Sequence, residues 1–82
     1  MFTVYVLFST AFNRIYVGYT SNLAERLKAH NELATKGWTA KFRPWKLVYT
    51  EFFESRQLAM RREKELKTAR GREWIWQLVK GT

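Results

Sequence analysis

The segment from Arg14 to His30 changes its hydrophobic period midway, and this change restricts the fold more than any other feature of the chain. Its first half alternates, with Ile15, Val17 and Tyr19 on one face, which predicts a short strand over residues 14–19. Polar residues follow, and an asparagine three positions before a glutamate indicates a capping box at the start of a helix. The segment therefore predicts a strand that leads directly into a helix.

The predicted helix covers about residues 22–33 and carries two residues that can act together with the strand. Arg26 and His30 are four residues apart, so they share one face of the helix. Tyr16 and Gly18 share the second face of the strand. We expect these four residues to converge on one small site.

The rest of the chain predicts further strands and helices around this unit. Residues 2–8 are almost all apolar, which is typical of a central strand covered on both faces. The short connection to the next strand favours an antiparallel hairpin, in which Tyr5 and Tyr16 could share a face. The prediction is one α/β domain over residues 1–82, with a three-stranded, mostly antiparallel sheet flanked by helices in the order β-β-α-β-α-α. The remaining predicted segments are an irregular loop over 38–44, a strand over 45–53, a helix over 56–68 that Gly71 ends, and a helix over 72–80.

The balance of charge predicts a polyanionic partner. The chain of 82 residues carries a formal net charge of +8, which favours nucleic acid first and an anionic membrane surface second. No segment has the length of a transmembrane helix, and the N-terminus predicts a strand rather than a signal peptide. We therefore expect a cytoplasmic protein with a nucleic-acid partner and no membrane partner.

Metal sites are restricted by the residue types present. The chain has no cysteine and one histidine, which excludes disulfides, thiolate metal sites and zinc sites built from several imidazoles. All seven acidic residues are glutamates, so a carboxylate cluster that holds two metal ions is not expected. Glu63 stands out among them because it shares the apolar stripe of its helix with Ala59 and Leu66. A carboxylate in that position is costly unless it is ion-paired or bound to a metal, and both explanations stay open.

Two groups of basic residues are candidates for contact with phosphate. In the first group, aromatic residues interleave with the basic ones, which suits phosphate contact combined with base stacking. An equal alternative is that these aromatic side chains fill the core while the basic ones are solvated. The second group is either a phosphate-contacting edge or a favourable charge at a helix C-terminus. The first group contains Lys36, Lys41, Arg43 and Lys46 with Trp38, Phe42 and Trp45, and the second contains Lys67, Arg70 and Arg72.

Two short motifs in the strands resemble a known family. Thr3-Val4-Tyr5 and Tyr16-Val17-Gly18 resemble the two halves of the GIY-YIG nuclease motif. Arg26, His30 and Glu63 stand where that family keeps its other functional residues. The resemblance covers most of the chain and is strongest to stand-alone, excinuclease-C-like bacterial members, which are similar to the N-terminal domain of that nucleotide-excision-repair nuclease.

The resemblance implies a DNA endonuclease with a single divalent ion, Mg²⁺ or Mn²⁺. When the family's roles are carried onto this chain, Glu63 is the protein ligand of the metal ion, and water fills the other coordination positions. They place Tyr5, Tyr16, Arg26 and His30 in the same site, where a tyrosine would position the attacking water or take its proton. Gly18 is expected to keep the sheet surface open to a substrate or a helix.

Two further hypotheses stay open. The first motif lacks the Gly-Ile pair, and the chain has no asparagine after Asn31, where some family enzymes use one. A non-catalytic nucleic-acid-binding module with the same fold is therefore the second hypothesis, and a basic adaptor for an acidic protein partner is the third. DNA is favoured over RNA, while a targeting protein partner and the oligomeric state stay undetermined.

Overall fold

A computed structural model describes residues 1–33 and 38–81 of the chain. Three strands form one antiparallel sheet in the order β2-β1-β3. The strands are β1 (Phe2–Ser9), β2 (Arg14–Thr20) and β3 (Lys46–Phe53). The helices are α1 (Leu23–Lys28) with a π-helical continuation (Ala29–Leu33), α2 (Trp38–Lys41), α3 (Arg56–Leu66) and α4 (Ala69–Lys80). The predicted fold class is confirmed, with the short α2 as an addition.

The central strand β1 is buried on both faces, as its nearly continuous apolar sequence predicts. On one face its valines pack with β2 and with α3 and α4; we call this the helix face. On the other face Tyr5 and Leu7 pack with Trp45 and with the half-buried Tyr16; we call this the tyrosine face. The buried core of the helix face consists of Val4, Val6, Ile15, Val17, Ala59, Leu66 and Ile75.

Local capping fixes where the helices begin. The Asn22 side chain accepts a hydrogen bond from the Glu25 amide at 3.2 Å, and its amide group donates to the Glu25 carboxylate at 3.1 Å. The first of these bonds satisfies a backbone donor that a helix start leaves unpaired. Ser55 caps α3 by accepting from the Leu58 amide at 3.2 Å. The capping box at Asn22 was expected from the sequence.

Gly71 does not end the helix before it, contrary to the prediction. The break falls earlier, where the Thr68 hydroxyl caps α4 by accepting from the Gly71 amide at 3.2 Å. A Cβ on Gly71 would lie 2.4 Å from the Glu65 carbonyl oxygen. Glycine is therefore required there because α3 and α4 approach closely, which lets α4 begin at Ala69, three residues before the predicted start.

One other expectation is corrected by the structure, because the predicted irregular loop begins with the helical turn α2.

The strand β3 contains a bulge. Its pairing shifts by one residue, so that Tyr49 lies opposite Val6 while Leu47 lies opposite Leu7. The bulge interrupts the alternation of a regular strand, and Val48 and Tyr49 both pack toward the helix face. Within the described part of the chain, no helix is long and apolar enough to cross a membrane.

Candidate active site

The hairpin of β1 and β2 brings the two motif tyrosines together. Tyr5 pairs with Gly18 across the hairpin, so Tyr16, two residues from Gly18, lies on the same face as Tyr5. The two rings are 6.2 Å apart between centroids. A Cβ on Gly18 would lie 2.6 Å from the Tyr5 hydroxyl oxygen. Gly18 therefore leaves room for the Tyr5 ring, whereas the sequence suggested space for a substrate.

The π-helical turn after α1 places His30 against both tyrosines. The His30 ring lies 4.9 Å from the Tyr16 ring and 5.9 Å from the Tyr5 ring between centroids. Its Nε2 forms a 2.9 Å hydrogen bond with the Tyr5 hydroxyl. Such local widening of a helix is frequent at functional sites, and here it carries the histidine at its second position. His30 is buried as a result.

Burial gives Tyr5 a different role from Tyr16. The Tyr5 side chain is fully buried, and burial raises the pKa of its phenol to about 12. A hydrogen bond from Arg26 and its positive charge lower that pKa but do not offset the burial, and the charges of Tyr16 and Glu63 raise it further. Tyr5 stays protonated at pH 7 and cannot act as a general base there. Tyr16 is half-buried and therefore reaches the surface.

The pKa values of the neighbouring His30 and Arg26 fit this arrangement. Burial, and secondly the charge of Arg26, lower the pKa of His30 from its ordinary value, so its imidazole is neutral at pH 7. The hydrogen bond to Tyr5 raises the pKa of Arg26. Because Arg26 can only donate, the Tyr5 oxygen accepts from Arg26, and the tautomer of His30 sets which group donates in the bond between the Tyr5 hydroxyl and His30 Nε2. Arg26 itself is exposed, so its guanidinium can reach a phosphate.

Glu63 approaches from the helix face. It lies on α3 between the buried Ala59 and Leu66, and its side chain is only 18% exposed. Lys67, one turn further on, places its Nζ 3.5 Å from the Glu63 Oε1. The predicted position on the apolar stripe is confirmed. Of the two explanations left open for this carboxylate, the structure shows an ion pair, and metal binding stays a prediction.

The two faces meet at the edge of β2, where the sheet ends. A cleft of about 270 Å³ there is lined by Ile15, Tyr16, Val17, Lys67 and Arg72. Lys67 lines this cleft and is ion-paired with Glu63. The structure therefore brings Tyr5, Tyr16 and His30 together on the tyrosine face, with Arg26 next to Tyr5 and with Glu63 near enough for its charge to act on Tyr5.

The aromatic segment before β3 is part of the core of the tyrosine face. Trp45 is buried, and its indole donates to the Thr39 carbonyl at 2.8 Å. The Asn31 side chain accepts from the Trp45 amide at 2.7 Å and donates to the Trp45 carbonyl at 3.1 Å. Of the two alternatives left open for this segment, core filling is the one observed for Trp45, and the half-buried Phe42 packs beside it.

The predicted phosphate-binding residues fall in different places. Lys36 lies outside the described residues. Lys41 and Lys46 are exposed, whereas the Arg43 Nε donates to the His30 carbonyl at 3.0 Å and thereby holds the π-helical turn. Lys67 lies in the cleft, and Arg70 lines a separate groove. Phosphate contact by these residues stays a prediction.

Two further residues belong to this region. Arg72, which the sequence placed in the second basic group, lines the cleft beside Tyr16, and its Nε donates to the Lys67 carbonyl at 3.4 Å. Asn31 was not among the predicted site residues. It holds the segment that covers Tyr16, and a lone asparagine in a helix offers no signal of this role.

The donor set around Glu63 fits a hydrated hard cation. Across residues 1–33 and 38–81, no group of three or more His, Cys, Asp or Glu side chains lies together as a metal cage would require. Mg²⁺ commonly binds through one or two carboxylates and keeps several waters, so one accessible carboxylate beside a phosphate site is compatible with it. Lys67 is about half exposed, so solvent screens its pair with Glu63 in part, and displacing the lysine costs on the order of 1 kcal/mol.

Comparisons with known proteins agree with this geometry. A UPF0213 protein of Staphylococcus haemolyticus is 46% identical over 56 residues, which cover 68% of each chain. A UPF0213 protein of Natronomonas pharaonis is 42% identical over 65 residues, covering 79% of this chain and 75% of that protein. The solution NMR structure of a UPF0213 protein from Bacillus halodurans superimposes with a TM-score of 0.55 at 33% identity, covering 95% of this chain and 85% of that one.

The family model of the GIY-YIG catalytic domain matches residues 1–76, a span that includes every residue of the cluster described above. Members of this nuclease superfamily typically use divalent metal ions and act on nucleic acid. The resemblance inferred from the two tyrosine motifs is thereby confirmed. The chain belongs to the GIY-YIG family and is related to its UPF0213 members.

Proposed function

We propose that this protein is a divalent-metal-dependent endonuclease that hydrolyses DNA phosphodiester bonds in the cleft beside Tyr16. The observation that carries the proposal is the contact of Tyr5 with Tyr16, His30 and Arg26, with Glu63 near enough for its charge to act on Tyr5. Family membership and the net charge of +8 support a nucleic-acid substrate. The exposed Lys41 and Lys46 are proposed to contact DNA phosphates outside the cleft.

Each residue of the cluster has one task in the proposed reaction. A water attacks the phosphorus atom and loses a proton to solvent, while the bond from phosphorus to the leaving sugar oxygen breaks and that oxygen takes up a proton from solvent. Tyr16 positions the water, because it is the motif tyrosine that reaches the surface. Arg26 donates to the phosphate oxygens, whose charge increases in the transition state. Tyr5 and neutral His30 hold Arg26 and Tyr16 in place through the 2.9 Å bond and the ring contacts.

Glu63 is the residue proposed to hold the metal ion. When bound, the ion would neutralise charge on the phosphate and on the leaving oxygen. Lys67 holds this carboxylate in the absence of a cation, and it would turn toward phosphate when the substrate binds. The resulting arrangement needs no second carboxylate.

A non-catalytic binding module is the second candidate, and one observation favours it. The Glu63 carboxylate is already ion-paired with Lys67, and a pair that persists with nucleic acid bound would keep a metal ion out. The basic cleft could then bind phosphate without cutting. The Glu63→Gln variant separates the two candidates because it removes the charge and keeps the shape.

The test compares cleavage and binding of labelled branched, single-stranded and duplex DNA by the wild type, Glu63→Gln and Glu54→Gln. Glu54 is exposed, so its variant is matched for the loss of one charge. We expect Glu63→Gln to lose at least about 100-fold in single-turnover cleavage and to bind DNA as tightly as the wild type or more tightly. Equal cleavage by folded Glu63→Gln would refute the assignment of Glu63, and absence of cleavage in all three proteins would favour the binding module.

A further inference from the structure

A second cavity lies on the other side of the α3–α4 junction, away from Tyr16. This groove, which we call the Trp74 groove, has a volume of about 410 Å³, within the range of small-ligand sites. Its lining includes Trp74 and two arginines, Arg62 and Arg70, together with the acidic Glu65. The described residues that line it are distinct from those that carry the proposed reaction.

Trp74 offers an aromatic surface to solvent at this groove. Its side chain is 40% exposed, which is unusual for the largest apolar side chain in a small domain. The Tyr49 ring meets it edge-on at a centroid distance of 5.0 Å and an angle of 83°, which supports the indole from one side. A base can stack on the exposed part because every base has an aromatic face, whatever the sequence.

Arg70 supplies positive charge for a nucleotide, whereas Arg62 is ion-paired and offers a fixed group. The Arg62 Nε is held by both oxygens of Glu51, at 2.9 and 3.2 Å, so its position is fixed. Arg70 is exposed at the start of α4. The Glu65 carboxylate can accept from an amino group on the edge of a base. Aromatic, cationic and acceptor groups together match a nucleotide better than they match an apolar ligand.

The groove and the Tyr16 cleft lie on opposite sides of the first turn of α4. Arg70 lines the groove and Arg72 lines the cleft, two positions later on the same helix. A helix is about 10–12 Å across, which corresponds to about three nucleotides at stacked spacing. We propose that the Trp74 groove binds an unpaired nucleotide, about three positions along the strand from the phosphate held beside Tyr16. The position relative to that phosphate rests on the proposed function, whereas binding in the groove does not.

The experiment uses the full chain with the Glu63→Gln change, in EDTA, so that no cleavage is needed. Its probes are an unpaired oligodeoxythymidine and a blunt duplex of equal length. Trp74→Ala and Arg70→Gln are compared with Lys80→Gln, which removes one exposed charge further along α4. Indole fluorescence is recorded with and without Trp74→Phe, which isolates the signal of Trp74.

We expect the unpaired strand to quench the fluorescence of Trp74. Trp74→Ala should bind this strand about 10-fold more weakly than the parent protein does. The loss of affinity should be smaller for Arg70→Gln and absent for Lys80→Gln. Duplex affinity should change less than twofold. Equal affinity for the unpaired strand in Trp74→Phe, Arg70→Gln and the parent, without quenching of Trp74, would overturn the proposal even if Trp74→Ala does not fold. Quenching without nuclease activity in the wild type would instead support the groove and refute the proposed function.

Discussion

The Tyr5 phenol occupies the space that a side chain at position 18 would fill. The two residues are directly paired across the β1–β2 hairpin, and the Tyr5 ring extends over Gly18 to reach His30. The glycine of the second motif thus leaves space for the tyrosine of the first. This relationship links the two halves of the motif physically and explains why both are needed to position His30.

Gly18→Ala should destabilise the protein by about 1–3 kcal/mol, because the new Cβ would lie 2.6 Å from the buried Tyr5 hydroxyl. Removing that hydroxyl relieves the nearest contact. The combined change with Tyr5→Phe should therefore cost less than the sum of the two single changes, as measured by urea unfolding. Gly81→Ala is the control, since a Cβ there would lie 3.4 Å from its nearest neighbour. Strict additivity of the two changes would contradict this account of Gly18.

Tyr16→Phe should lower single-turnover cleavage about 100-fold with little change in stability, because Tyr16 is proposed to position the attacking water. Tyr5→Phe should act mainly on stability, at about 1–3 kcal/mol, because it leaves the buried His30 Nε2 without its partner. Tyr19→Phe is a matched control, since the Tyr19 hydroxyl accepts from the exposed Arg56, away from the cleft. Larger loss of cleavage in Tyr5→Phe than in Tyr16→Phe would reverse the two assignments.

The lowered pKa of His30 predicts loss of stability in mild acid. Below its ordinary value of about 6.5, the unfolded chain takes up a proton that the folded protein does not. The free energy of unfolding should therefore fall as the pH decreases from about 6.5 toward the folded pKa. Urea unfolding of the wild type and His30→Gln across this interval measures the effect. The difference between them should shrink as the pH falls, and a constant difference would show that His30 is not buried in its neutral form.

Lys67→Met should strengthen metal binding by Glu63. It removes the ammonium 3.5 Å from the carboxylate, in a pair whose lysine is about half exposed. Such a pair is worth on the order of 0.5 kcal/mol, which corresponds to about a twofold change. Titration of Mn²⁺ against the wild type and the variant measures this in the absence of DNA. Lys64→Met is the control, because Lys64 is an exposed lysine on the same helix and Lys67 is the one that lines the cleft. Weaker binding to Lys67→Met would place the ion elsewhere.

Elements in which apolar residues repeat at a clear period were predictable from the sequence. The features that were not predictable depend on contacts between residues distant in sequence. The alternation in β2 and the cap at Asn22 are local signals, and both are observed. The bulge at Val48 and the start of α4 before Gly71 depend on neighbouring elements, namely β1 and the end of α3. Sequence spacing likewise suggested that Arg26 and His30 share a site, but not that burial would keep Tyr5 protonated.

The most direct test is whether the wild-type protein cuts DNA in a metal-dependent manner. Labelled branched, single-stranded and duplex DNA should be incubated with the protein and Mg²⁺ or Mn²⁺, and in parallel with EDTA. We expect cleavage of at least one substrate, which EDTA abolishes and which returns when the metal is restored. Absence of cleavage by the folded protein on every substrate, together with salt-dependent DNA binding, would contradict the nuclease and leave a binding module.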